Sequence, residues 1–198
     1  MSWTITSSDQ ESLITYESLL RPYIQEADHK NILMFGAASD QGLNITSKVY
    51  PSGYEQVFCI GAAKSTGRPD SAAEFQAQYV FPGGESSSIK KAQGLDGESE
   101  HAWGSSFSTA LASGLTALIL DCTEIVGFGE HRDRIRTRDG VDAIFSGMIS
   151  EKASKYIPVT EFFTPTIANG IWDDDGKQGL KDMMKEILRY WPPYYLWK

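Results

Sequence analysis

Apolar residues along this chain follow two kinds of spacing. Over residues 9–27, Leu13, Ile14, Tyr16, Leu19, Leu20, Tyr23 and Ile24 recur at helical intervals behind Ser7 and Ser8, which suit an N-cap. The run Ile32-Leu33-Met34-Phe35-Gly36-Ala37-Ala38 is instead continuously apolar and short, as in a strand buried on both faces of a parallel sheet. Val57-Phe58-Cys59-Ile60-Gly61-Ala62-Ala63 repeats that pattern, and Tyr79-Val80-Phe81 predicts a third strand stopped by Pro82-Gly83-Gly84. The strongest helix runs from about Ser106 to Ile125, with Ala110, Leu111, Gly114, Leu115, Leu118 and Ile119 on one face, and is expected to be central and buried. Residues 85–103 read as a polar surface loop and residues 130–134 as a charged loop, with further helices near 139–155 and 178–190 and an aromatic tail over 191–197. Strands alternating with helices predict an α/β fold with a mostly parallel sheet. In such sheets the site lies at the carboxyl ends of the strands. The turn at Ser39 and the segment before Ser106 both reach that edge.

Composition narrows the possible partners. The chain has 198 residues, enough for one sizeable core and one domain, and a net charge of −8. That charge, with no basic cluster interleaved with aromatics, argues against nucleic acid or an anionic membrane as partner. The two cysteines, Cys59 and Cys122, sit in apolar runs and read as buried thiols rather than a disulfide or a metal site. The first thirty residues carry no signal-peptide pattern, and the longest apolar stretch is read as too short to span a bilayer. The expectation is a soluble cytoplasmic protein with no metal and no cofactor.

Candidate chemistry centres on Gly104-Ser105-Ser106-Phe107-Ser108-Thr109-Ala110. Ser106 stands where the long helix begins, beside backbone N–H groups outside the intrahelical ladder and the positive end of the helix dipole. Acyl transfer uses such a position, because the oxyanion of a tetrahedral intermediate can be held there. An ordinary Ser/Thr-rich N-cap produces the same wording.

Four blocks in order resemble the subtilisin-like serine peptidases: Ser39-Asp40-Gln41-Gly42, Phe58-Cys59-Ile60-Gly61-Ala62-Ala63, Phe81-Pro82-Gly83-Gly84 and Gly104-Ser105-Ser106. The resemblance covers residues 1–125 and is nearest in wording to subtilase-type domains of filamentous fungi, including those attached to intracellular receptor-like proteins. It implies a three-layer subtilisin-like fold, a peptide or protein substrate, and Ser106 as nucleophile. It also implies an oxyanion hole built from Ser106 and the position of Ser39, and a substrate cleft along Ser2, Trp3, Ala37 and Ala38. Two departures stand out. The family's proline after the nucleophile is Ala110 here, and its oxyanion asparagine is Ser39, whose hydroxyl is a shorter donor. In subtilisin itself, losing that asparagine costs about 10²–10³ in kcat.

A serine hydroxyl needs a base beside it, and the base an orienting carboxylate. The family's Asp-Ser/Thr-Gly and His-Gly-Thr blocks are absent. The nearest wording, Asp139-Gly140 and Asp173-Asp174-Asp175-Gly176, lies on the wrong side of the serine. Of the three histidines, His29 and His131 read as surface residues, and His101, five residues before Ser106, is the only nearby substitute. Met1-Ser2-Trp3-Thr4-Ile5 resembles a family strand lined up inside the sheet. The expectation is therefore the C-terminal half of a subtilase domain truncated at its N-terminus, with residues 1–125 as that half and 126–198 as a helical extension. Further domains on either side are compatible with this reading.

Three functions follow. One is a serine endopeptidase whose base and orienter are supplied from outside this chain, so that the chain alone is inactive. Another is a degenerate binding or effector module of a larger intracellular receptor-like protein. A third is an unrelated α/β protein with a serine-rich helix start.

Overall fold

A computed structural model describes residues 10–38, 49–64, 66–68, 77–83, 104–150, 153–162 and 174–189. Among these, three parallel strands form a sheet in the order β1 (Met34–Ala37), β2 (Val57–Ala63) and β3 (Tyr79–Pro82). Met34 pairs with Val57 and Ile60 with Tyr79, which fixes the two registers. All residues of β1 and β2 are buried, as the continuous apolar runs require of a sheet covered on both faces.

Alternation along the strands separates the two faces. Phe35, Phe58, Ile60, Tyr79 and Phe81 point to one side, against α2 (Ser105–Ile125), α4 (Arg138–Gly147) and α6 (Asp174–Leu188). Met34 and Val57 point to the other, against Ile24 of α1 (Gln10–His29) and the rings of Tyr50 and Tyr54. Farther along that second face, Tyr156 packs on Ala38, Cys59, Ala63 and Val80. The result is three layers, as expected.

Phe145 of α4 is the hub of the larger core. Its ring lies 5.2 Å from Tyr79, 5.4 Å from Phe81, 6.0 Å from Phe58 and 6.5 Å from Phe35. The start of α4 is held at the amino end of β3, where Arg138 stacks over Phe58 at 4.9 Å and Asp142 accepts from Gln78 and Tyr79.

Several elements depart from the sequence expectation. Of the face expected for α2, Leu115 and Ile119 are buried, whereas Ala110, Gly114 and Leu118 are exposed and Leu111 is half-buried, so the buried side is turned from the one expected. It comprises Ser105, Ser108, Thr109, Ala112, Leu115, Thr116, Ile119, Cys122 and Thr123, while Leu118 is 41% exposed. Three of the buried hydroxyls satisfy themselves on the helix's own carbonyls, Thr109 on Ser105, Thr116 on Ala112 and Thr123 on Ile119, at 2.7–2.9 Å. Burying them therefore costs little, and hydrophobicity alone locates Leu115 and Ile119 but not the threonine side that is buried with them. At 21 residues α2 is also long and apolar enough to cross a bilayer by composition, contrary to the expectation, yet its threonine side is buried inside the protein.

The charged loop at 130–134 is instead a 3-10 turn (Gly129–His131) leading into the short helix α3 (Arg132–Ile135). The helix expected over 139–155 ends at Gly147, because the chain returns to pair with β3. Val80 donates to the Lys155 carbonyl at 2.8 Å and accepts from Ile157 at 2.9 Å, making a parallel bridge between Val80 and Tyr156. A short helix, α5 (Val159–Phe162), follows, and α6 begins four residues earlier than expected, at Asp174. The loop over 85–103 and the tail over 191–197 lie outside the described residues.

Candidate functional site

The carboxyl ends of the strands and the start of α2 meet at one edge. Ala38 and Gly83 continue β1 and β3 by one residue, since the Ala38 amide donates to Ile60 at 2.8 Å and the Gly83 amide to Ala63 at 3.1 Å. Gly104 then donates to the Gly83 carbonyl at 2.5 Å and opens α2 with φ +106°, a backbone conformation that glycine accepts readily. That turn sets Ser105 and Ser106 at the strand ends.

The serines here do not act as helix caps. The N-cap is Gly104, and no side chain caps α2. Ser105, 1% exposed, donates its hydroxyl to the Ala38 carbonyl instead. Ser108, fully buried, has its hydroxyl 3.1 Å from the Phe81 carbonyl and 3.0 Å from that of Pro82. The first turn of α2 is thus tied to β1 on one side and β3 on the other. Between the two ties Ser106 faces outward and is exposed. Sequence reading singled out Ser106 and missed Ser105 and Ser108, whose role only the strand carbonyls disclose.

Ala37 and Ala38 are interior, 0% and 1% exposed, and the Ala38 amide and carbonyl already have partners. Ser2, Trp3, Ser39, His101 and Asp173 lie outside the described residues. The two described histidines are remote from Ser106. His131 lies beyond the far end of α2, whose 21 residues rise about 1.5 Å each, roughly 30 Å in all. His29 ends α1 and leads into the amino end of β1. Asp139 is in the first turn of α4, beside the amino end of β3. All three therefore sit away from the edge that carries Ser106.

Cys59 and Cys122 are free and buried, and burial pushes both thiols above their usual range. Among the described residues no group of three or more His, Cys, Asp or Glu side chains could hold a metal ion.

Comparison with known proteins matches this arrangement to proteases. A crystal structure of a lanthipeptide protease superposes with a TM-score of 0.59 at 15% identity, over 92% of this chain and 60% of that one. The self-cleaved protease domain of PatA gives 0.51 at 20% identity, over 84% and 55%. The patellamide maturation protease PatA gives 0.50 at 19% identity, over 84% and 56%. At these identities the likeness shows the subtilisin-like fold, and the chain spans 55–60% of the length of these three proteases. No curated protein matches the chain. The peptidase S8 subtilase family matches residues 1–135, ten residues beyond the reach of the sequence blocks and into α3. With two thirds of its length matched, the chain belongs to the subtilase family.

Proposed function

We propose that this chain is the C-terminal part of a serine endopeptidase domain in which Ser106 attacks the scissile carbonyl of a peptide substrate. The observation that carries this reading is the seat of Ser106, exposed between two buried serines that fasten the helix start to the strand ends. An oxyanion formed there would be held by the Ser106 backbone N–H and by Ser39, directly or through water. The base and its orienting carboxylate are supplied from outside this chain, so that the chain alone is inactive. Substrate lies extended along Ser2 and Trp3, adding main-chain hydrogen bonds as an extra strand does. The free buried thiols fit a reducing, cytoplasmic setting.

One observation favours a second reading. Among the described residues no histidine lies near Ser106, as expected of a degenerate module kept for binding peptides or for an effector role in a larger receptor-like protein.

A fluorophosphonate probe applied to the complete protein decides between them. An adduct on Ser106 that disappears in Ser106→Ala supports the endopeptidase. The absence of any adduct at Ser106, with interactions unchanged in Ser106→Ala, supports the binding module.

A further inference from the structure

Three facts meet at the junction of β3 and α2. The Ser108 hydroxyl is fully buried and lies between two carbonyl oxygens, 3.1 Å from Phe81 and 3.0 Å from Pro82. Gly83 follows directly and passes so close that a Cβ on it would stand 2.1 Å from the Ser108 hydroxyl oxygen. The same Gly83 accepts the Gly104 amide at 2.5 Å, two residues before Ser106. Any side chain at position 83 would thus drive the Ser108 hydroxyl from its carbonyls while pressing on the backbone that leads to Ser106.

We propose that Gly83 and Ser108 form a positioning pair that sets the height and direction of Ser106 over the sheet edge. The proposal rests on the reading of Ser106 as nucleophile and adds two residues to that site. A helix start has no i−4 hydrogen bonds of its own to resist fraying, and α2 has no side-chain cap to replace them. Ser108 supplies the restraint from within the second half of the first turn. It acts on the end of β3, whereas Ser105 acts on the end of β1, so the two ties oppose both sliding and rotation of the turn. Such restraint matters because displacing a reacting group by 1 Å costs on the order of 10²-fold in rate.

The pair makes a specific prediction, since Gly83 has no positive φ and the nearest obstacle to a side chain there is the Ser108 hydroxyl, with the Gly104 carbonyl oxygen next at 3.1 Å. Gly83→Ala and Ser108→Ala should each lower the maximal rate of fluorophosphonate labelling of Ser106 in the complete protein, Gly83→Ala the more. The half-saturating probe concentration should hardly move. Gly83→Ala/Ser108→Ala should lose less than the two single losses combined, because removing the hydroxyl relieves the closest contact of the new methyl and leaves only that with the Gly104 carbonyl oxygen at 3.1 Å and the Cβ of residue 108 at 3.4 Å. Amide exchange supplies an independent readout: residues 105–109 should exchange faster in each single variant, with residues 115–123 unchanged. Additive losses in the double variant, or loss of protection spread evenly along α2, would overturn the pair and leave the nucleophile reading standing. A wild-type protein that takes no adduct at Ser106 would overturn the nucleophile reading, and the positioning role with it.

Discussion

Ser105 donates its hydroxyl to the carbonyl of Ala38, which joins the residue before Ser106 to the residue before Ser39. A buried hydrogen bond therefore fastens the first turn of α2 to the residue at the end of β1. Ser105→Ala leaves the Ala38 carbonyl without that donor inside the protein. The expected cost is about 1–3 kcal/mol of unfolding free energy, read as a lower urea midpoint at unchanged slope. A variant as stable as the wild type would show that water replaces the serine.

Phe145 tests whether the segment after the family match is part of the same core. Its ring is fully buried and touches aromatic residues on all three strands. Phe145→Ala should cost about 3–5 kcal/mol, the range for deleting a large buried ring. Denaturant unfolding followed by tyrosine and tryptophan fluorescence measures it. A loss below about 1 kcal/mol would mean that α4 packs on the sheet only loosely.

The strands were legible because each is a short, fully apolar run, and a parallel sheet buried on both faces leaves no other place for such runs. The place of Ser106 at the start of α2 was legible for a different reason, since Gly104 before it and the apolar helix after it are local in sequence. What escaped was set by tertiary contact. Thr109, Thr116 and Thr123 look polar, yet each closes a hydrogen bond on its own helix and turns inward. The bridge of Tyr156 to β3 rests on one pair of residues, too few to leave a periodic signal. Ser108 reads as one more helix-start serine until its hydroxyl is seen against the end of β3.

Alkaline pH should destabilise the fold through Tyr79. Burial, with the Asp142 carboxylate behind it, holds this phenol well above its ordinary value of 10.0. In the folded chain the proton stays on; in the unfolded chain it leaves near the ordinary value. The contribution is therefore complete below about pH 10 and is lost above it, at up to roughly 1.4 kcal/mol per pH unit. Burial raises Tyr50 as well, so it adds in the same direction. Tyr79→Phe should flatten the fall in stability between about pH 10 and 11 without removing it. Identical slopes for the two proteins would mean that Tyr79 titrates normally.

Both thiols should be silent in the native protein. Cys59 is 8% and Cys122 1% exposed, and burial disfavours the thiolate of each. Ellman's reagent should react with neither over the time in which it consumes both in denaturant. Rapid reaction of one thiol under native conditions would show that its layer opens, and Cys59→Ser against Cys122→Ser would say which.

The outer side of α1 bears on how the chain behaves alone. Leu20, Ile24 and Ala27 face the second core cluster, while Tyr16, Leu19 and Tyr23 continue the same apolar arc into solvent, 40%, 61% and 71% exposed. An apolar arc covered over only part of its width favours association. Sedimentation velocity should therefore show the 198-residue chain shifting to larger species as its concentration rises. Leu19→Lys/Tyr23→Lys should move it back toward monomer with little change in melting temperature, because neither side chain is buried in the core. A wild-type chain that sediments as a monomer at every concentration and unfolds in one cooperative step would show that the described layers are sufficient by themselves.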